Sequence, residues 1–190
     1  ALQLIEDGYL SQYDVPDDYP LTDNQRLQVT ALKNKSVIFN KEEVKDFLDE
    51  IIYPVYYFDF ETFGSAIPLF DDSRPYQQVP FQYSLHKKDQ KNKEATHYEF
   101  LGDGKSDPRK ALVEKMIKEL GNQGSILCYN QSFEIGKLND LAIVFPEHET
   151  AINNIIDRII DLITPFRNKS VYHWQMNGSA SIKKVLPAFI

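Results

Sequence analysis

The stretch Val55-Tyr56-Tyr57-Phe58-Asp59-Phe60-Glu61 decides the fold. It is short, β-branched and aromatic, and it is bounded by Pro54 and Gly64. That composition predicts a strand. Apolar neighbours on both faces predict that the strand is central and buried. Residues two apart in a strand point to the same face. Asp59 and Glu61 should therefore project side by side, with Phe60 turned the other way into packing. Two carboxylates so close repel each other unless a cation stands between them. Hard oxygen ligands suit Mg²⁺ or Mn²⁺. Two such ions would activate a water and steady the leaving oxygen of a phosphodiester. The competing reading is a surface strand with solvated acids. The apolar neighbours argue against it, because a strand buried on both sides rarely carries two free acids.

Working outward, Gln82 to His86 reads as a second strand and Thr96 to Leu101 as a third, with a polar hairpin over Lys87 to Glu94. Asp107-Pro108 opens a helix to about Leu120, with Pro at its first position. Ser125 to Tyr129 is another short apolar strand. Phe133 to Val144 is a helix that ends before Pro146, and Ala151 to Ile163 reads as helical, ending at Pro165. Ser181 starts a last helix that the chain end cuts off near Pro187. Upstream, residues 1–52 read as a helical lead-in, with a Pro/Asp-rich loop from Tyr13 to Pro20. Thr22 or Asp23 caps one helix of this lead-in. A second follows Asn40, where Val44, Phe47, Leu48 and Ile51 recur at helical spacing. Strands first, then helix–strand–helix, is the order of an α/β domain with a mixed central sheet flanked by helices. The predicted division is 1–52 as extension and 53–190 as the domain.

Further candidate site residues lie at the joints of this plan. Glu134, in Tyr129-Asn130-Gln131-Ser132-Phe133-Glu134, stands where a strand passes into a helix, the place where active sites of open sheets gather. Alone it reads as an acid complementing the helix dipole. Beside Asp59 and Glu61 it reads as a third ligand. Asp161, between apolar neighbours near a predicted helix end, divides evenly between site member and structural residue. Asp157 reads as solvated. Arg74, Tyr76 and Gln77 fall in a stiff segment with two prolines. They either contact phosphate and stack on a base, or close a packed loop over the core. Ser179 or Ser181 can cap the last helix, whose free N–H groups and Lys183 would suit a phosphate, while Lys184 reads as solvated. His173, next to Trp174, is the histidine best placed to act as a base or touch substrate. No histidine pair has zinc spacing. Cys128 reads as a small buried residue.

The chain has 190 residues, a net charge of −7 and one cysteine. That length suits one domain with a real core. A lone cysteine excludes an internal disulfide framework and a cysteine-based zinc site, and fits a reducing, cytoplasmic setting. No apolar run spans a bilayer, so no membrane role is expected. The N-terminus has neither a basic nor an apolar signal region and begins without Met, as a segment cut from a longer chain would. The acidic balance argues against a passive nucleic-acid binder. It is compatible with a nuclease, because bound divalent cations restore positive potential where phosphate must sit.

Taken together, Asp59-Phe60-Glu61, Asn130-Gln131-Ser132-Phe133-Glu134 and Asp161-Leu162 resemble the DEDD 3′–5′ exonuclease superfamily, a ribonuclease H-like group. Further blocks are Phe58 to Phe63, Arg74 to His86, Asp107-Pro108-Arg109 and Gly178 to Pro187. With these, residues 53–190 resemble a bacterial domain-of-unknown-function family. Its members often follow a RecB-like, CRISPR-associated nuclease module in a longer chain. The resemblance implies a ribonuclease H-like fold and hydrolysis of single-stranded DNA or RNA ends with two Mg²⁺ or Mn²⁺ ions. It implies Asp59, Glu61, Glu134 and Asp161 as metal ligands. Arg74, Tyr76, Gln77, Asn130 and Lys183 would bind substrate, and His173 or a downstream Tyr would orient the water. Glu134 stands where the superfamily carries Asp. The superfamily's last motif, here expected as Tyr-Cys-x-x-Asp-Thr, would fall beyond Ile190. The alternative reading is a catalytically inactive module on the same fold that binds nucleic acid or protein.

Overall fold

The computed structural model describes residues 2–190. In chain order its elements are α1 (Leu2–Glu6), α2 (Asp23–Asn34), β1 (Val37–Phe39), α3 (Lys41–Asp49), β2 (Val55–Phe63), β3 (Val79–Lys88), β4 (Thr96–Leu101), α4 (Arg109–Leu120), β5 (Ser125–Cys128), α5 (Ser132–Val144), α6 (Glu149–Ile156), β6 (Ile159–Asp161), α7 (Thr164–Arg167), β7 (Val171–His173) and α8 (Ile182–Phe189). They fall into two compact units, Glu50–Leu162 and the described residues up to Asp49 together with Ile163–Ile190. Ile163–Ile190 clusters with the N-terminal residues because β7 pairs with β1, a strand where a purely helical lead-in was expected.

In the unit Glu50–Leu162, the sheet order is β4-β3-β2-β5-β6. β3 runs antiparallel to β2 and β4, while β5 and β6 run parallel to β2. This is the mixed central sheet expected from the sequence. Tyr56, Phe58 and Phe60 of β2 alternate inward and join Tyr83, Leu85, Ile126 and Cys128 in one apolar layer. Leu112 and Met116 of α4, Leu138 and Leu141 of α5, and Ile152 and Ile155 of α6 close that layer from above. Some 15 buried residues make up the cluster. At roughly 1.5–3 kcal/mol per large side chain, their burial is the main term holding helices to sheet. Arg158 ties down one end, donating to the carbonyls of Gln123 at 2.7 Å and Gly121 at 2.8 Å. At Gly124, φ is +84° and an added Cβ would overlap the Pro54 carbonyl oxygen. Only glycine lets the entry to β5 lie so close to the entry to β2.

The alternation on β2 also corrects an expectation. Tyr57, Asp59 and Glu61 are exposed, so the strand is covered on one face rather than two. A second correction concerns Ala151 to Ile163. The helix stops at Ile156, and Ile159–Asp161 is an edge strand. Three residues are too few for a periodicity to register. β3 runs three residues earlier and two later than expected, and α8 continues past Pro187 to Phe189.

The other unit is small. α2 starts with a capping box on Thr22 and Gln25, and it ends at Lys35 in the left-handed region. Ala31, Tyr172, Met176 and Val185 form its core. Ser170 O accepts the Asn40 N–H at 2.7 Å where the two chain segments meet.

Candidate carboxylate centre at the strand ends

Register sets the level of each acid. Tyr57 pairs with Leu127, which brings Asp59 level with the chain just past the end of β5. Cys128 pairs with Asp161 at the end of β6. Asn130 then takes φ +70°, a left-handed turn that Asn tolerates, and the chain enters α5 with Glu134 in its first turn. Asp59, Glu134 and Asp161 therefore lie at the level where the parallel strands β5 and β6 end, the place where an open α/β sheet forms its crevice.

Glu134 is the hub. It is 3 % exposed, its Oε2 has no hydrogen-bond partner, and it shares a hydrogen bond with Asp59. Burial, then the neighbouring charges of Asp59 and Asp161, push its carboxyl up to about 7. Asp59 is also raised, first by burial and then by the Glu61 charge, although the hydrogen bond from Glu134 works against this. The directions agree on one proton held by Glu134 and donated to the Asp59 carboxylate. Cys128 lies in the same field. Burial raises its thiol first, and the charges of Glu134, Asp59 and Asp161 add to the effect.

Asp161 plays a different part. By register it shares the helix-covered face with Cys128, whereas Asp59 and Glu61 point to the other face. It is 7 % exposed, and its Oδ1 accepts the Asn130 N–H at 2.8 Å. This bond fixes the turn that delivers Glu134. Among the described residues, no three His, Cys, Asp or Glu side chains stand in position to hold a metal ion. The donor chemistry suits a hard divalent cation, and the unpartnered Glu134 Oε2 offers a ligand.

The remaining expected residues are more scattered. Arg74 is exposed, with Nη2 3.8 Å from Asp140 Oδ1, and it lines a cavity of about 320 Å³ with Ser73 and Gln77. Gln77 Oε1 accepts the Arg74 N–H at 3.0 Å, so its amide oxygen helps to shape the loop. Tyr76 is 73 % exposed, at φ +60°. Arg109, 3 % exposed, pins the loop by donating to Asp71 O at 2.5 Å while pairing with Asp107 at 2.6 Å. His173 and Lys183 belong to the other unit. There His173 Nδ1 accepts the Gln175 N–H at 3.2 Å, the ring stacks on Trp174, and the residue acts as a helix cap. Lys183 is exposed on α8. Ser181 precedes that helix without a side-chain capping bond.

The sequence reading passed over Lys137, which lies one helical turn beyond Glu134 and pairs with Asp140 at 3.0 Å. The signal was its i, i+3 spacing from Glu134 on a helix already predicted.

A family model described as "Domain of unknown function (DUF2779)" matches residues 56–181. The chain belongs to this family. The match takes in β2 with its acid pair, Glu134, Asp161 and the turn before α8. The chain is 32% identical over 142 residues to the uncharacterized MG366 homolog of Mycoplasma pneumoniae, which covers 69% of this chain and 21% of that protein. It is 31% identical over 141 residues to uncharacterized protein MG366 of Mycoplasma genitalium, covering 68% and 21%. Against uncharacterized protein UU173 of Ureaplasma parvum serovar 3 the figures are 32% over 148 residues, 69% and 20%. The chain thus spans about a fifth of the length of these curated relatives. No solved structure matches it. Among the described residues, no helix is long and apolar enough to cross a membrane.

Proposed function

We propose that this domain is a divalent-metal-dependent nuclease that hydrolyses phosphodiesters at the ends of single-stranded nucleic acid. The observation that carries the reading is the buried Glu134 carboxyl, unpartnered at Oε2 and hydrogen-bonded to Asp59 at the ends of parallel strands. Structural acids are usually satisfied where they are buried. A group held so far from its ordinary pKa in a crevice is a functional candidate. The mixed sheet and the placement of the acids support a ribonuclease H-like reading, and the resemblance adds the 3′–5′ direction. It also adds a RecB-like nuclease module elsewhere in a longer chain.

Asp59, Glu61 and Glu134 would hold Mg²⁺ or Mn²⁺, and Asp161 would stand behind them by fixing the Asn130 turn. When bound, such ions supply an activated water and stabilise the leaving oxygen. The protein's own part is to keep Glu134 dry and in place. It also keeps the Asp59–Glu61 face open, so that a phosphate can reach the acids from solvent. Lys137 offers positive charge one helical turn beyond Glu134.

The test is thermal denaturation and calorimetry with Mn²⁺ on the wild type and on Asp59→Ala, followed by an assay on labelled single strands of DNA and RNA. A shift that needs Asp59, with Mn²⁺-dependent cleavage that Asp59→Ala abolishes, is the expected result. Absence of both sinks the reading. The second reading, a module that binds without catalysis, is favoured by one observation: no three of the described side chains stand ready around an ion. Binding of single strands with no cleavage at any Mn²⁺ concentration would select it.

A further inference from the structure

The sheet face that carries Asp59 continues outward over β3 and β4. Register places three rows on it. Tyr57, His86 and His97 form one row; Asp59, Ser84 and Glu99 form the next; Glu61, Gln82 and Leu101 form the last. Beyond the ring row, Lys88 pairs with Val55 on the same face. The face is therefore graded along the strands. Cation and rings lie at one end, carboxylates at the other.

The ring row is exposed and ordered. Tyr57 is 44 % exposed, and both histidines are exposed. The imidazoles stack with centroids 4.4 Å apart and planes 25° from parallel, and Ser84 Oγ lies 3.2 Å from His97 Nε2. An exposed ring on a flexible stem would lose entropy on binding. This pair is already held by a neighbour and a hydrogen bond, so less is lost. The rows that follow, polar except for Leu101, make the face a poor match for the apolar core of another protein domain. Rings beside a cation, leading to acids, match a chain of stacking bases linked by phosphates.

We infer that the open face of β2, β3 and β4 is a stacking platform for single-stranded nucleic acid, with Tyr57, His86 and His97 taking bases and Lys88 a phosphate. The direction of the strand across the sheet, from rings to carboxylates, rests on the nuclease reading above. The binding itself does not. A duplex keeps its bases stacked on each other, so the platform selects single strands.

The experiment is fluorescence anisotropy of a short labelled oligothymidylate and its duplex with the 190-residue chain, in EDTA and in calcium, where binding is read without cleavage. The wild type should prefer the single strand. Tyr57→Ala and the pair His86→Ala/His97→Ala should each weaken binding about tenfold, a loss typical of one stacked base, while Tyr57→Phe keeps it. Lys88→Ala should lower the slope of log affinity against log salt by about 0.7, the value for one phosphate contact on a single strand. Tyr57, His86 and His97 are exposed and Lys88 is partly exposed, and circular dichroism on each variant checks that it folds. Failure of the wild type to bind in both buffers, or variants that bind like it, overturns the platform. Cleavage with Mn²⁺ is scored separately. Platform-dependent binding without cleavage removes the nuclease reading and leaves the platform. Cleavage with platform variants unaffected does the reverse.

Discussion

Replacing Glu134 by Gln probes the centre without changing its shape. In the metal-free protein, the Glu134 carboxyl is pushed from 4.5 up to about 7 by burial and by the charges of Asp59 and Asp161. Its folded pKa lies above its unfolded value, so the proton favours the folded state. That stability is fully present below about 4.5 and is lost as pH rises through about 7. The difference, roughly 2.5 pH units at 1.36 kcal/mol each, amounts to about 3 kcal/mol. Gln cannot ionise, and its amide donates to the Asp59 carboxylate at every pH. Glu134→Gln should therefore match the wild type near pH 4 and exceed it by about 3 kcal/mol at pH 8, a gain of roughly 6–12 °C in Tm for a chain of this size. The assay is thermal or urea denaturation in EDTA across that range. A variant no more stable than the wild type at pH 8 would refute the shared proton. It would mean that the ionised carboxylate already has partners. Under the nuclease proposal, adding Mn²⁺ at pH 8 closes the gap by stabilising the wild type alone.

Three other substitutions test the frame around the centre. Gly124→Ala forces a Cβ onto the Pro54 carbonyl at φ +84°, and should destabilise by about 3 kcal/mol or more, measured by urea unfolding. Arg109→Ala leaves the Asp71 carbonyl unpaired and frees Asp107. It should cost about 2–3 kcal/mol and speed chymotryptic cleavage after the exposed Tyr76 in the loop that it pins, with cleavage at wild-type rate counting against that role. Tyr83→Phe removes the 2.6 Å bond from its hydroxyl to Glu119 Oε2 but keeps the ring stacked on Phe100. The expected loss is about 1 kcal/mol, well short of a core truncation, read from the same unfolding curves.

What the sequence made legible follows physical reach. β4 falls where it was read, at Thr96 to Leu101, because a polar hairpin and Gly102 bound it on both sides. α4 and α5 carry long apolar faces and emerge with boundaries close to those expected. β1 and β6 were missed for the same reason as each other. Each has three residues and is a strand only by virtue of a partner far away in sequence. The acid pair on β2 was visible because period two needs no partner. The covering of that strand was not, because Tyr57 is apolar in type yet stands on an open face. Asp161 was placed beside the other acids in sequence terms alone. Its side of the sheet depends on a β6 register that the chain does not announce locally.

Asp59 and Glu61 face the open side, Asp161 faces the helices, and Glu134 enters between them on the first turn of α5. A carboxylate drawn in from the helix side cannot serve the open side without moving the strand. Glu134 can, because the Asn130 turn and the helix N-terminus bring it around the strand ends, and its longer side chain makes up the distance. The Asp161–Asn130 bond then matters through geometry rather than charge. Asp161→Asn keeps an acceptor for the Asn130 N–H and should leave the Glu134 position largely intact, whereas Asp161→Ala releases the turn. If Asp161 is instead a ligand in its own right, the two substitutions should weaken Mn²⁺ binding alike, and calorimetry on the pair separates a positioning residue from a ligand.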